Sequence, residues 1–452
     1  MINRRGGKMA GNENVPYKDL KSKTEELGVT LPFSTNLKGL FEELKVGSRV
    51  FANRFAVQPM EGCDCEADGT PTDLTKRRYH RFATGGAGLI WFEANAVCQK
   101  GRANPRQMML TEQNKDSFKR MVEDTRETAQ KEGGVDVKLI LQATHSGRYS
   151  KPNGVPEPII AYNNPLFEKD KPLDASCIIT DDELKALEEN YTVTAKLAEE
   201  VGFDGVDIKA CHRYLVSELL SAYERKGQYG GDFDNRTRFL RNCYAGVKSA
   251  VSKDFIVTSR MNVYDGFPYP YGFGVSPEGG LKPYLQEAKD LIEILKNDYG
   301  LQLLNVTIGN PYVNPHVNRP YDKGPYVPDE SPLVGVERMM NCVGEIQKAV
   351  PDVAIIGSGF SYLKDYGAYL AAGAIEEGVC SIAGFGRQSF AYPEFVKELR
   401  DNGKMDKSKC CLACGKCTEM MRMGQVAGCV IKNKDYLELY RKAKETCKPI
   451  GI

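Results

Sequence analysis

The segment Gly205-Val-Asp-Ile-Lys209-Ala-Cys-His212-Arg-Tyr214-Leu decides how this chain is read. A short β-type run, Gly205 to Ile208, follows a long helical pattern and then breaks into ionisable side chains. In a (β/α)8 barrel the C-terminal end of each strand faces the catalytic mouth, so an apolar strand ending in such groups is how that fold presents a site. If Lys209 closes the strand, the turn after it brings Lys209, His212 and Tyr214 to one mouth. Lys and His can hold a developing oxyanion. A Tyr hydroxyl can act as general acid. The plainer reading, a surface βα loop with scattered polar residues, stays open at this point.

The rhythm on either side of the segment supports a barrel. Short apolar runs alternate with longer amphipathic stretches, the pattern of parallel βα units. Eight strands are predicted: Phe55–Pro59, Gly88–Val97, Val137–Thr144, Gly205–Lys209, Phe255–Met261, Leu303–Gly309, Val353–Gly357 and Cys380–Phe385. Eight is the number that closes a TIM barrel. Thr180-Asp-Asp-Glu183 is a capping box that opens a helix, with Leu184, Leu187, Tyr191, Ala195 and Ala198 at helical spacing behind it. Three loops, 146–179, 262–280 and 310–331, are long and rich in Pro or Tyr. They follow strands 3, 5 and 6, so their aromatics either line a pocket or pack the loops together.

The chain has 452 residues and a net charge of +1. That length suits a large α/β domain with additions, and the balanced charge argues against a nucleic-acid partner. No apolar run is long enough to span a membrane. The N-terminus is charged with no apolar core behind it, so a signal peptide is not expected and the cytoplasm is the expected compartment. The expected organisation is an N-terminal arm (1–40) that is flexible or caps the barrel bottom, a barrel (41–403) and a cysteine-rich segment (404–452). A homo-oligomer stays open.

Further motifs sit at other strand ends. Gln142-Ala-Thr-His-Ser-Gly-Arg148 follows strand 3, and a Gln there can donate and accept to the pyrimidine edge of a flavin. Arg260 at strand 5 offers a fixed cation for an anionic reduced ring. Gly357-Ser-Gly359 and Gly384-Phe-Gly-Arg387 are Gly-rich turns after strands 7 and 8, where barrels bind phosphate. Each alone is weak; in this order they reinforce one another.

On these residues, with Asn53-Arg-Phe-Ala-Val-Gln-Pro-Met60, Glu93-Ala-Asn-Ala-Val97 and Tyr229 to Phe239, the chain resembles the old yellow enzyme family of FMN-dependent ene-reductases over roughly residues 40–400. The resemblance implies a (β/α)8 barrel, FMN at its mouth and hydride delivery to an activated alkene. Its flavin contacts fall on Pro59, Ala94, Gln142, Arg260, Ser358, Gly359, Gly386 and Arg387, with Met60 and Glu61 beside them, and its proton donor falls on Tyr214. The chain departs from the family pattern in three places. Lys209 stands where His is usual; its ammonium would suit a carboxylate or a polarised carbonyl, or it turns aside to pair with a carboxylate such as Glu61 and cancels a charge beside the flavin. Glu61 replaces a Thr or Cys beside the flavin. Arg213 replaces a Gly and puts the loop's conformation in question.

The sequence holds 14 cysteines, and five of them crowd into residues 410–429. Cys411-Leu-Ala-Cys414-Gly-Lys-Cys417, followed by Cys429, has the spacing with which a chain wraps a [4Fe–4S] cube. A structural zinc would also take four thiolates, usually from two separated knuckles. Cys410 is not expected to be a ligand. Similar clusters follow the barrel in the iron–sulfur branch of the family, which includes 2,4-dienoyl-CoA and 2-enoate reductases. Those proteins continue into FAD and NAD(P)H domains, whereas no Gly-x-Gly-x-x-Gly follows these cysteines. The expectation is therefore that electrons come from a separate donor protein or from NAD(P)H over the flavin.

The expected function is reduction of a small unsaturated carbonyl or carboxylate compound. Lys209 and His212 would polarise the substrate, and Tyr214 would protonate the α-carbon. The alternatives are an electron-transfer or redox flavoprotein and an N-demethylase of the same fold.

Overall fold

The computed structural model of the protein describes residues 17–322 and 324–446. Eight strands form a closed parallel barrel: β3 (Phe55–Val57), β4 (Leu89–Ala96), β5 (Lys138–Thr144), β6 (Gly205–Ile208), β7 (Ile256–Tyr264), β8 (Leu303–Ile308), β9 (Ala354–Gly357) and β10 (Ile382–Phe385). Each pairs with its neighbour in chain order, and β10 closes the ring against β3 through Ala383 and Phe55. Every residue of these strands is buried, as a sheet covered on its outer face by helices requires. The expected (β/α)8 fold is the observed one.

Sequence order and chemistry explain the helices between the strands. The helix Asp181–Glu200 starts on Thr180, whose hydroxyl accepts from the Glu183 N–H while Glu183 bonds back to Thr180, so the expected capping box is present. Its buried face carries Leu184, Leu187, Tyr191, Ala195 and Ala198. One strand exceeds the expectation: β7 runs on to Tyr264 through a register shift between Asn262 and Tyr264. The bulge keeps the chain paired with β8 as it enters the long loop.

The floor of the barrel is sealed by an element that sequence reading missed, a hairpin of β1 (Leu44–Val46) and β2 (Arg49–Phe51). Val46 and Phe51 pack with Ala56, Leu89, Ile140, Ile256 and Leu303 at the strand starts. Arg49 ties the hairpin to Asp204 at 3.2 Å. Part of the expected N-terminal arm, residues 1–16, lies outside the described residues. The rest holds the helix Tyr17–Glu26, and Ser34 N–H donates to Tyr369 O at 3.0 Å.

The C-terminal segment has a small core of its own, Met420, Met423, Val426, Val430 and Tyr436. It is fastened over the barrel mouth. Ala427 N–H donates to Gly62 O at 2.7 Å, Arg319 donates to Thr418 Oγ1 at 2.5 Å, and Arg77 pairs with Asp435 at 2.7 Å. Among the described residues no helix is long and apolar enough to cross a membrane.

Candidate active site

A cavity of about 210 Å³ opens at the C-terminal ends of the strands. Of the residues expected to bind cofactor, Pro59, Met60, Glu61, Arg260, Ser358, Gly359, Gly386 and Arg387 line it. His212 lines it as well. Ala94, Gln142, Lys209 and Tyr214 are not among the lining residues; each is nearly or fully buried beside the mouth. Ala94 and Gln142 are register partners on β4 and β5. The Gln142 amide donates to Asp207 Oδ2 at 2.6 Å, and Trp91 Nε1 donates to the same oxygen at 2.8 Å. Burial pushes the Asp207 carboxyl up to about 6, against the pull of these hydrogen bonds.

The loop after β6 takes a conformation that a glycine would adopt without strain. His212 (φ 64°) and Arg213 (φ 61°) are both left-handed, which costs an L-residue roughly 1–2 kcal/mol each. The Arg213 side chain holds the turn in place. Its Nη1 donates to Ser221 Oγ at 2.8 Å and Tyr271 O at 2.7 Å and lies 3.4 Å from Asp265. The arginine that replaces the usual glycine thus anchors the loop, which answers the question the sequence raised.

His212 Nε2 lies 3.4 Å from the Asn318 amide. Burial, with Arg260 and Lys209 close by, holds its ring well below the ordinary histidine range, so it is neutral. The Tyr214 hydroxyl donates to Glu61 Oε1 at 3.2 Å and lies 3.0 Å from the Tyr312 hydroxyl. Burial, then Glu61 and Tyr312, push its pKa well above the usual phenol value, so the hydroxyl keeps its proton. The Lys209 ammonium sits 3.6 Å from the Tyr214 ring centre and 3.8 Å from Glu61 Oε1. Tyr149 stacks on Tyr312 at 3.9 Å.

The chain matches the model of the NADH:flavin oxidoreductase / NADH oxidase family over residues 39–273. It belongs to this family. An NADPH dehydrogenase of Clostridium acetobutylicum is 26% identical over 260 residues, 57% of this chain and 72% of that protein. An NADH oxidase of Thermoanaerobacter brockii is 25% identical over 406 residues, 88% of this chain and 55% of that protein. A 2-naphthoyl-CoA reductase solved with 2-naphthoyl-CoA shares the fold, with TM-score 0.72 and 20% identity, over 89% of this chain and 58% of that one. The chain therefore spans little more than half of these last two proteins. It is a flavin-dependent NAD(P)H oxidoreductase of the old yellow enzyme type, for which FMN is the family's flavin.

The mouth of this flavin oxidoreductase fits FMN. Among the described residues the Arg260 guanidinium, which lines the cavity, makes no hydrogen bond, so its donors are available to a flavin ring. A Cβ on Gly386 would come 3.2 Å from Met60 Sδ, so the glycine leaves room that a side chain would fill. Arg319, which sequence reading passed over, lines the cavity with Arg387. Burial, with Arg387 and Arg422 nearby, lowers it to about 10. Such crowding of cations is relieved by an anion such as a phosphate. Gln58 was also missed; it bonds to Asn305 and Ser358 across the barrel. The only sequence signal was its place beside Pro59.

The four cysteines Cys411, Cys414, Cys417 and Cys429 line one small cavity, and Cys417 also lines the flavin cavity. Ala413 N–H donates to Cys411 Sγ and Lys432 N–H to Cys429 Sγ, both at 3.4 Å. Cys410 turns away and donates to Asp406 O. Among the described residues no three His, Cys, Asp or Glu are placed to hold a single metal ion.

Proposed function

We propose that this oxidoreductase reduces the C=C bond of α,β-unsaturated carbonyl compounds. When bound, FMN supplies hydride and a [4Fe–4S] cluster supplies single electrons. Arg260, Gln142, Ala94, Pro59 and Met60 would hold the flavin ring, with Ser358, Gly359, Gly386 and Arg387 at its phosphate end. Cys411, Cys414, Cys417 and Cys429 would hold the cluster. The electrons come from NAD(P)H or from a separate donor protein.

The observation that carries this reading is the Tyr214 hydroxyl, buried at the edge of the flavin cavity beside its one neutral histidine. His212 orients the substrate's carbonyl oxygen. Tyr214 gives its proton to the α-carbon, and Lys209 against its ring offsets the charge that remains. Glu61, which reaches the cavity, is the group through which Tyr214 regains a proton. The test is reduction of a cyclic enone by the reduced protein with formation of the saturated ketone. An enone left intact overturns the proposal.

A further inference from the structure

We propose that this site selects neutral unsaturated carbonyl compounds over the corresponding carboxylates, and that Glu61 sets the preference. The inference rests on the ene-reductase reading above. Taken by itself, Lys209 would favour an anionic substrate. The structure puts its charge elsewhere. Lys209 does not line the cavity, its side chain is 4% exposed, and its ammonium faces Glu61 Oε1 at 3.8 Å and the Tyr214 ring at 3.6 Å.

Of this pair it is the carboxylate that reaches the cavity. Glu61 lines the cavity, and its side chain is 14% exposed. His212, the other anchor, is buried and uncharged, able to orient a carbonyl but not to balance a carboxylate. The remaining cations of the cavity would be engaged by the cofactor when it is bound. Arg260 is suited to the flavin ring, and Arg319 and Arg387 lie together on the side where Cys417 and Thr418 close the pocket. A carboxylate substrate would meet an anion and no free cation. A like-charge contact of this kind disfavours the charged ligand. A ketone, aldehyde or ester needs only a donor.

The experiment uses FMN-loaded, oxidised protein and two saturated ligands of the same ring, cyclohexanone and cyclohexanecarboxylate. Neither can be reduced, and binding is read from the flavin absorption spectrum. The ketone should bind roughly tenfold more tightly or better. Glu61→Gln keeps an acceptor for Tyr214 but frees the Lys209 charge. The carboxylate should then gain about tenfold in affinity, while the ketone changes less than about threefold. Adding Lys209→Met to that variant should abolish the gain. If Glu61→Gln loses its flavin, Lys209→Met alone carries the test: it leaves Glu61 uncompensated and should weaken the carboxylate further. Equal binding of the two ligands by the unaltered protein overturns the inference. So does a carboxylate affinity indifferent to these substitutions. Because no turnover is involved, failure of ene-reduction itself would register separately, as a reduced flavin that an enone leaves untouched.

Discussion

The ammonium of Lys209 lies 3.6 Å from the centre of the Tyr214 ring, so the side chain assigned as proton donor carries a cation on its face. The same ammonium stands 3.8 Å from Glu61, which accepts the Tyr214 hydrogen bond. Cation, phenol and carboxylate thus act as one unit, and removing each should have a distinct effect.

Tyr214→Phe should leave flavin reduction by NAD(P)H unchanged and slow alkene reduction by roughly 10²–10⁴-fold, the loss expected of a general acid. Stopped-flow traces of the two half-reactions check this. An equal slowing of both would mean that the substitution disturbs the flavin instead.

Arg387→Ala should weaken flavin retention more than it alters chemistry, because Arg387 lines the cavity on the side away from Tyr214, next to Cys417 and Arg319. Chromatography of the cofactor released by denaturation should give FMN from the unaltered protein and a lower FMN content from the variant. FAD in its place would count against the site as drawn.

Anaerobically purified protein should contain about four irons and four sulfides per chain. Cys417→Ser should lower that content. Cys410→Ser should not, since its thiol bonds to Asp406 O outside the shared cavity. Zinc in place of iron would falsify the cluster assignment.

Acid should destabilise the fold through His145. Burial lowers this residue to about 4, while its Nδ1 accepts from the Gly147 N–H at 3.1 Å. The unfolded chain binds the proton more readily, so stability is full above the ordinary histidine value near 6.5. It falls by roughly 3 kcal/mol as pH drops toward 4. Asp207, raised by burial to about 6, contributes the opposite slope over an overlapping range. His145→Asn keeps an acceptor for Gly147 and isolates the histidine's share. Between pH 7 and 4 the denaturation midpoint of the unaltered protein should fall more steeply than that of the variant, and parallel curves would contradict the assignment.

The strands were legible because each is a buried, nearly continuous apolar run, and a parallel sheet covered on both faces needs that pattern. The Thr180–Glu183 box was legible because its signal is local. The hairpin Leu44–Phe51 was not, because three-residue strands carry too little alternation to stand out from a loop. The cavity residues on strand-end motifs, from Pro59 to Arg387, could be read in advance because each follows its own strand. The Glu61–Lys209 pair was legible only as an alternative to a substrate-facing ammonium, because 148 positions separate the two and barrel closure brings them together. Arg319 was hidden in a Pro/Tyr-rich loop. Its importance comes from Arg387 and Thr418, which reach it from two other parts of the chain.

Electrons held on the flavin should pass to an activated alkene. Photoreduced, FMN-loaded protein should be mixed anaerobically with 2-cyclohexenone while the flavin absorbance is followed. The oxidised flavin spectrum should return at a rate that rises with enone concentration, with cyclohexanone formed in equal amount. A flavin that stays reduced in the presence of enones, although NAD(P)H reduces it readily, would rule out ene-reduction.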